Sequence, residues 1–154
     1  MEKRAELVVV GVDGSDDARA ALRFAMEDAA RRGAAVRVVR VFQPPEYEAP
    51  VGLIVPLPLD RITVDLEKAA RQTVDDVVAE RGGALAGVPV EVEALIGDPA
   101  KVLIERSRDG GLLVLGHRGR GGFASAVLGS VGLHCVVHAT GPVTIVRDSS
   151  AGRP

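Results

Sequence analysis

The chain has 154 residues, 47% hydrophobic and 26% charged, which is enough apolar material for one core and one domain. Its 19 basic and 21 acidic residues nearly cancel, to a net charge of −2, and leave no electrostatic footprint for DNA or RNA. One cysteine, Cys135, excludes an intrachain disulfide framework, and no apolar run approaches the ~18 residues of a membrane span.

The N-terminal "MEKRAELVVVGVDGS" holds a short apolar run that leads into a turn and not into a small-residue cleavage site. These features lead us to expect a soluble, cytoplasmic protein that meets neither nucleic acid nor membrane. "ELVVVGV" (Glu6 to Val12) reads as a strand buried on both faces. Ser15 or Asp16 then caps a helix with Ala18, Ala21, Leu22, Ala25 and Ala29 at helical spacing, stopped at Gly33. Asp16 and Asp17 read as capping residues only. "AVRVVRVF" (Ala35 to Phe42) is a second strand. Five prolines fall between Gln43 and Leu59, so that segment reads as a long surface loop.

Asp60 to Arg81 is helical, with Ile62, Leu66, Ala69, Ala70, Thr73, Val74 and Val77 as the apolar stripe. "VPVEVEALI" (Val88 to Ile96) alternates as a half-exposed or edge strand does. Asp98 and Pro99 open a short helix that ends before Gly110. "LLVLG" is a fourth, buried strand, Ser130 to Ala139 a short helix, and "GPVTIVR" a last strand with Pro142 at its entrance. The order β-α-β-α-β-α-β-α-β implies an open parallel sheet with helices on both faces. We expect one domain over 1–148 and a disordered tail over 149–154.

The stretch 116–134, "GHRGRGGFASAVLGSVGLH", carries six glycines directly after the fourth strand. In open α/β sheets, ligands bind beyond the carboxyl ends of the strands, where the strand order reverses. Gly116 allows backbone or ligand to approach closely, and Gly119 leaves uncrowded N–H groups. Gly129 and Ser130 open a helix, whose free N–H groups and dipole favour phosphate. The same residues also fit a flexible loop with an ordinary helix cap. Arg118 and Arg120 fit either a cover over phosphates or solvated loop charges.

Other motifs are excluded more firmly. A P-loop needs Lys where Gly122 stands, and the dinucleotide fingerprint is missing because "GVDGSDDA" offers only Gly11 and Gly14. A phosphoacceptor receiver needs an acceptor Asp after the third strand, where Asp98 reads as a cap. His134 and His138 stand i,i+4, but one helix supplies too few ligands for a metal site, so both are expected at the surface with Cys135 packed inward beside Val131 and Ala139. No catalytic residues and no metal site are assigned.

"GHRGRGGFASAVLGS" resembles the G-2x-G-9x-G-[ST] signature of the universal stress protein family, and "VVVGVDGS", "GDPAKVLIE" and "GPVTIVR" extend the resemblance over nearly the whole chain. The resemblance implies a five-stranded Rossmann-like sheet of order 3-2-1-4-5, of the adenine nucleotide alpha hydrolase-like type. It implies ATP, with Mg2+, between strands one and four. The phosphates would meet Gly119, Gly129, Ser130 and Val131, largely through backbone N–H groups. Leu115 and Gly116 would border the ribose, with Arg118 near the phosphates. Asp13, with Gly11 and Val12 beside it, would accept a hydrogen bond from the adenosine half or hold a metal through water. Val41 would read the adenine edge.

One departure is Gly132, where Ser or Thr is common. The family also tends to pair through its last strand, which makes Val143 to Arg147 the seam of a homodimer. The expected function is a nucleotide-dependent regulatory module in stress response, with at most slow hydrolysis. A scaffold of the same fold without nucleotide, and a slow ATPase or phosphotransferase, are the alternatives.

Overall fold

The structure is a computed structural model and describes residues 6–45, 56–118 and 128–149. Five strands, β1 (Leu7–Val12), β2 (Ala35–Phe42), β3 (Val90–Ile96), β4 (Leu112–Gly116) and β5 (Val143–Val146), form one parallel sheet in the order β3-β2-β1-β4-β5. Helices α1 (Asp16–Arg32), α2 (Leu59–Glu80), α3 (Pro99–Ser107) and α4 (Ser130–His138) make the crossovers. This is the adenine nucleotide alpha hydrolase-like order that the resemblance implies. The chain turns one way from β1 through β2 to β3 and the other way from β1 to β4, so a switch point lies between β1 and β4.

The sheet separates two cores. Val8, Val10 and Val12 of β1 pack with α1 residues and with Ala70, Val74 and Val77 of α2. Val9 packs on the other side with Val39, Leu113, Leu115, Ala100 and Leu103, under α3 and α4. A central strand covered on both faces must be apolar at every position, and the unbroken valine run of β1 meets that demand. β3 lies at an edge, as its alternation predicts. Its Glu91 pairs with Arg37 at 3.2 Å and its Glu93 with Arg106 at 3.5 Å, both on the α3 side.

The helix ends follow local chemistry. Ser15 caps α1, its Oγ accepting from Ala18 N at 3.1 Å, and Gly33 closes the helix in the left-handed conformation. Asp98 caps α3 by accepting from Lys101 N at 3.0 Å. α2 starts at Leu59, one residue earlier than the sequence suggests, with Pro58 at its cap position. Its stripe is buried at Ala70, Val74 and Val77, while Ala69 is exposed. Most of the proline-rich segment and the tail beyond Ser149 lie outside the described residues. Among those described, no helix is long and apolar enough to cross a membrane.

Cys135 sits fully buried on α4. Burial, and secondarily the nearby Asp98 charge, push its thiol up to about 11 from 9.0. A raised acid pKa stabilises the fold below the unfolded value and loses that contribution as pH rises through the folded one. The thermal midpoint is therefore expected to fall between about pH 9 and 11, and a Cys135→Ala chain scanned over the same range should lack that part of the decline.

Candidate functional site

A crevice of about 700 Å³ opens at the carboxyl end of the sheet, over the switch point. Gly11, Val12 and Asp13 enter it from β1, Val41 from β2, and Leu115, Gly116 and Arg118 from β4 and its exit. Gly129, Ser130 and Val131 close it from the start of α4. The fold thus brings together all the residues assigned from the sequence except Gly119, which lies outside the described residues, as does Arg120. The lining also includes Ser15, Arg40, Gln43, Pro99 and Leu103. Sequence reasoning missed these. Pro99 and Ser15 were legible only as helix starters, and nothing local in Arg40 or Gln43 marks the end of a strand as the rim of a site.

The first turn of α4 carries the anion-binding capacity. Gly129 is its cap residue, extended and with no side-chain cap. The Gly129 N–H donates to His117 O at 2.9 Å, so it is turned into the protein. This corrects the expectation that a phosphate would meet that amide. The N–H groups of Ser130, Val131 and Gly132 have no acceptor among the described residues and stand at the positive end of the α4 dipole. Gly132, which departs from the family pattern, has a packing reason. A Cβ there would come within 3.2 Å of Leu128 Cδ1 and 3.5 Å of Ile145 Cδ1.

Gly116 has a packing role as well as its place on the crevice wall. A Cβ at this position would lie 2.7 Å from the Asp17 carbonyl carbon, so the backbone of α1 makes a close approach here. Gly11 faces Leu115 and Leu103, which fill the floor beneath the crevice.

Asp13, Ser15 and Asp17 organise the mouth. Gly14, at φ 82°, turns the chain so that Ser15 faces back on Asp13. Asp13 Oδ1 accepts from Ser15 N at 3.0 Å and from Ser15 Oγ at 2.5 Å. Asp17 is more than the cap residue read from the sequence. Its Oδ2 accepts from Arg118 N at 2.9 Å, and its Oδ1 from Asp148 N at 2.9 Å. One carboxylate therefore ties the β4 exit and the chain after β5 to the start of α1. Asp17→Ala is expected to cost about 1 kcal/mol, because two partly buried amides lose their acceptor. Hydrogen exchange should report it locally, with faster exchange at the Arg118 and Asp148 amides and little change in the β1 core. Unchanged protection at both amides would contradict the latch.

The Arg118 side chain has no carboxylate partner among the described residues. His117 is buried, its N–H donating to Val146 O at 2.8 Å. It ties the exit of β4 to β5 and is not among the residues lining the crevice.

The model of the universal stress protein family matches residues 6–147. A universal stress protein of Mycobacterium tuberculosis is 36% identical over 152 residues, covering 92% of this chain and 48% of the relative. A second from that organism is 34% identical over 151 residues, covering 96% and 50%. The chain spans about half the length of these curated relatives. The structure of universal stress protein UspA from Lactobacillus plantarum superposes with a TM-score of 0.67 at 25% identity, covering 95% of this chain and 100% of that one. The fold is shared with a universal stress protein solved in complex with cAMP, at TM-score 0.64 and 23% identity, covering 94% and 98%. It is shared also with one from Archaeoglobus fulgidus in complex with dAMP, at 0.59 and 23%, covering 92% and 97%.

Proposed function

We propose, since the chain belongs to the universal stress protein family, that its crevice binds ATP with Mg2+ and that the bound nucleotide governs how the chain engages a partner in a stress response. The observation that carries this reading is the set of open amides at Ser130, Val131 and Gly132, in the same crevice as Arg118 and Asp13. Amides at a helix start and a guanidinium are the groups that recognise phosphate. The volume of about 700 Å³ lies in the usual range for small-molecule sites, roughly 300–1,000 Å³. The fold neighbours solved with cAMP and dAMP support an adenine nucleotide over other phosphorylated ligands.

In this reading Ser130 and Val131 meet the phosphates, with Gly119 as a further contact. Leu115 and Gly116 border the ribose, Gly11 and Val12 floor the site beside Asp13, and Val41 faces the base. The reading includes a homodimer joined through β5. That strand is an edge, half-buried along its length, and α4 beside it exposes Leu133, Val136 and Val137. It also includes a cytoplasmic location, in keeping with a free, buried Cys135.

Isothermal titration of the full chain with ATP in the presence and absence of MgCl2 tests the binding. Saturable heat that competes with AMP supports it. Absence of binding at millimolar ATP overturns it.

A further inference from the structure

α4 carries two side chains that the nucleotide reading does not use. His134 and His138 are four residues apart and stand one above the other on the helix. Both are exposed. Their ring centroids lie 4.7 Å apart, with the planes tilted by 48°. Among the described residues neither ring takes part in a hydrogen bond or ion pair. The intervening Cys135 is turned into the core, its Sγ 3.9 Å from Ala100 O.

The spacing has chemical content. An imidazole nitrogen about 2.0–2.1 Å from a metal places its ring centroid roughly 3.2 Å from the ion. Two such rings are then about 4.5 Å apart at a right-angled N–metal–N corner and about 5.2 Å apart at a tetrahedral one. The observed 4.7 Å falls between these limits. The position on the helix favours a cation as well. His138 lies in the last turn of α4, where carbonyl groups give the helix end its partial negative charge.

We propose that His134 and His138 form a two-point chelate for one divalent transition ion, of the Ni2+, Cu2+ and Zn2+ class, on the exposed face of α4. Imidazole nitrogens suit these ions, whereas Mg2+ and Ca2+ require oxygen ligands. The site is therefore chemically distinct from any Mg2+ that accompanies a nucleotide. Among the described residues no third His, Cys, Asp or Glu joins the pair. Two side chains are too few for a closed structural site, which is why no metal is assigned here from the sequence; with water completing the shell, the ion is exchangeable.

The test uses the untagged full chain with MgCl2 in excess. Calorimetric titration with NiCl2 is expected to show one ion bound per chain. His134→Ala and His138→Ala should each weaken binding by about 100-fold, because a single imidazole loses the effective-concentration advantage of the second. Both side chains are exposed, so thermal unfolding without metal should match the wild type. With Cu2+ as the probe, electron paramagnetic resonance should show nitrogen hyperfine structure from two imidazoles in the wild type and from one in each variant. Wild-type affinity in either alanine variant, or a Cu2+ spectrum unchanged by both substitutions, overturns the assignment.

Discussion

Gly116→Ala is expected to destabilise the fold by about 3 kcal/mol, the upper part of the usual range for forcing a methyl group into filled space. The added Cβ would stand 2.7 Å from the Asp17 carbonyl carbon and 2.9 Å from both Asp17 O and Ala18 N. These are main-chain atoms in the first turn of α1. No rotamer change removes them, so the clash is relieved only if α1 moves away from β4. That movement would break the Ser15 cap, the turn onto Asp13, and the Asp17 bonds to Arg118 N and Asp148 N together. A chain of this size should lose roughly 6–12 °C in thermal midpoint. Gly11→Ala is the internal comparison. Its Cβ would meet Leu115 Cδ2 at 2.8 Å and Leu103 Cδ atoms at 3.0 Å, the ends of side chains that can rotate. The loss there should be nearer 1 kcal/mol. Urea denaturation of the two variants checks the contrast, and equal losses would show that the α1 backbone does not press on β4.

These two glycines also mark where the sequence stops being informative. The strands and helices are legible because their signals are local. The valine run of β1 reports burial on both faces, and the Ser15, Gly33, Asp98 and Pro99 signals fall within a turn of the helix ends they define. The strand order, by contrast, comes from the family pattern and not from periodicity. Asp17 shows why the site is harder to read. Its acceptor role joins residues 101 and 131 positions away, and no spacing rule in the chain encodes such a meeting. From the sequence it can only be an acid in a first helical turn. From the sequence, Gly116 is open to backbone or ligand and Gly129 to a phosphate, because glycine announces conformational freedom without saying what comes close. At Gly116 it is α1, and at Gly129 the amide is taken up by His117 O. The residues of the crevice were legible as a set because they sit at strand and helix ends that converge on one switch point. Their individual tasks depend on loop packing.

Asp13→Ala is expected to weaken binding of ATP with Mg2+ by about 1.5–3 kcal/mol, roughly 10–150-fold, the scale of a hydrogen bond to a charged group. The carboxylate stands at the end of β1 on the lining of the crevice, and Ser15 N and Oγ both hold its Oδ1. It is therefore pre-oriented, and a ligand that uses it bears little of the cost of ordering it. Alanine removes the charge and the turn together, so the single substitution does not separate ligand contact from loop support. Asp13→Asn separates them. The amide oxygen can still accept from Ser15, which should keep stability within about 0.5 kcal/mol of the wild type, while the negative charge is gone. If Asp13 acts through Mg2+ or its water shell, Asn should bind ATP as the wild type does without magnesium, and adding MgCl2 should no longer tighten binding. If Asp13 acts by accepting a ribose or adenine hydrogen bond, Asn should lose less than Ala and keep the magnesium response. Calorimetry on the three chains, with and without MgCl2, distinguishes these outcomes. Wild-type affinity in both variants would remove Asp13 from the site and leave it as a residue of the turn between β1 and α1.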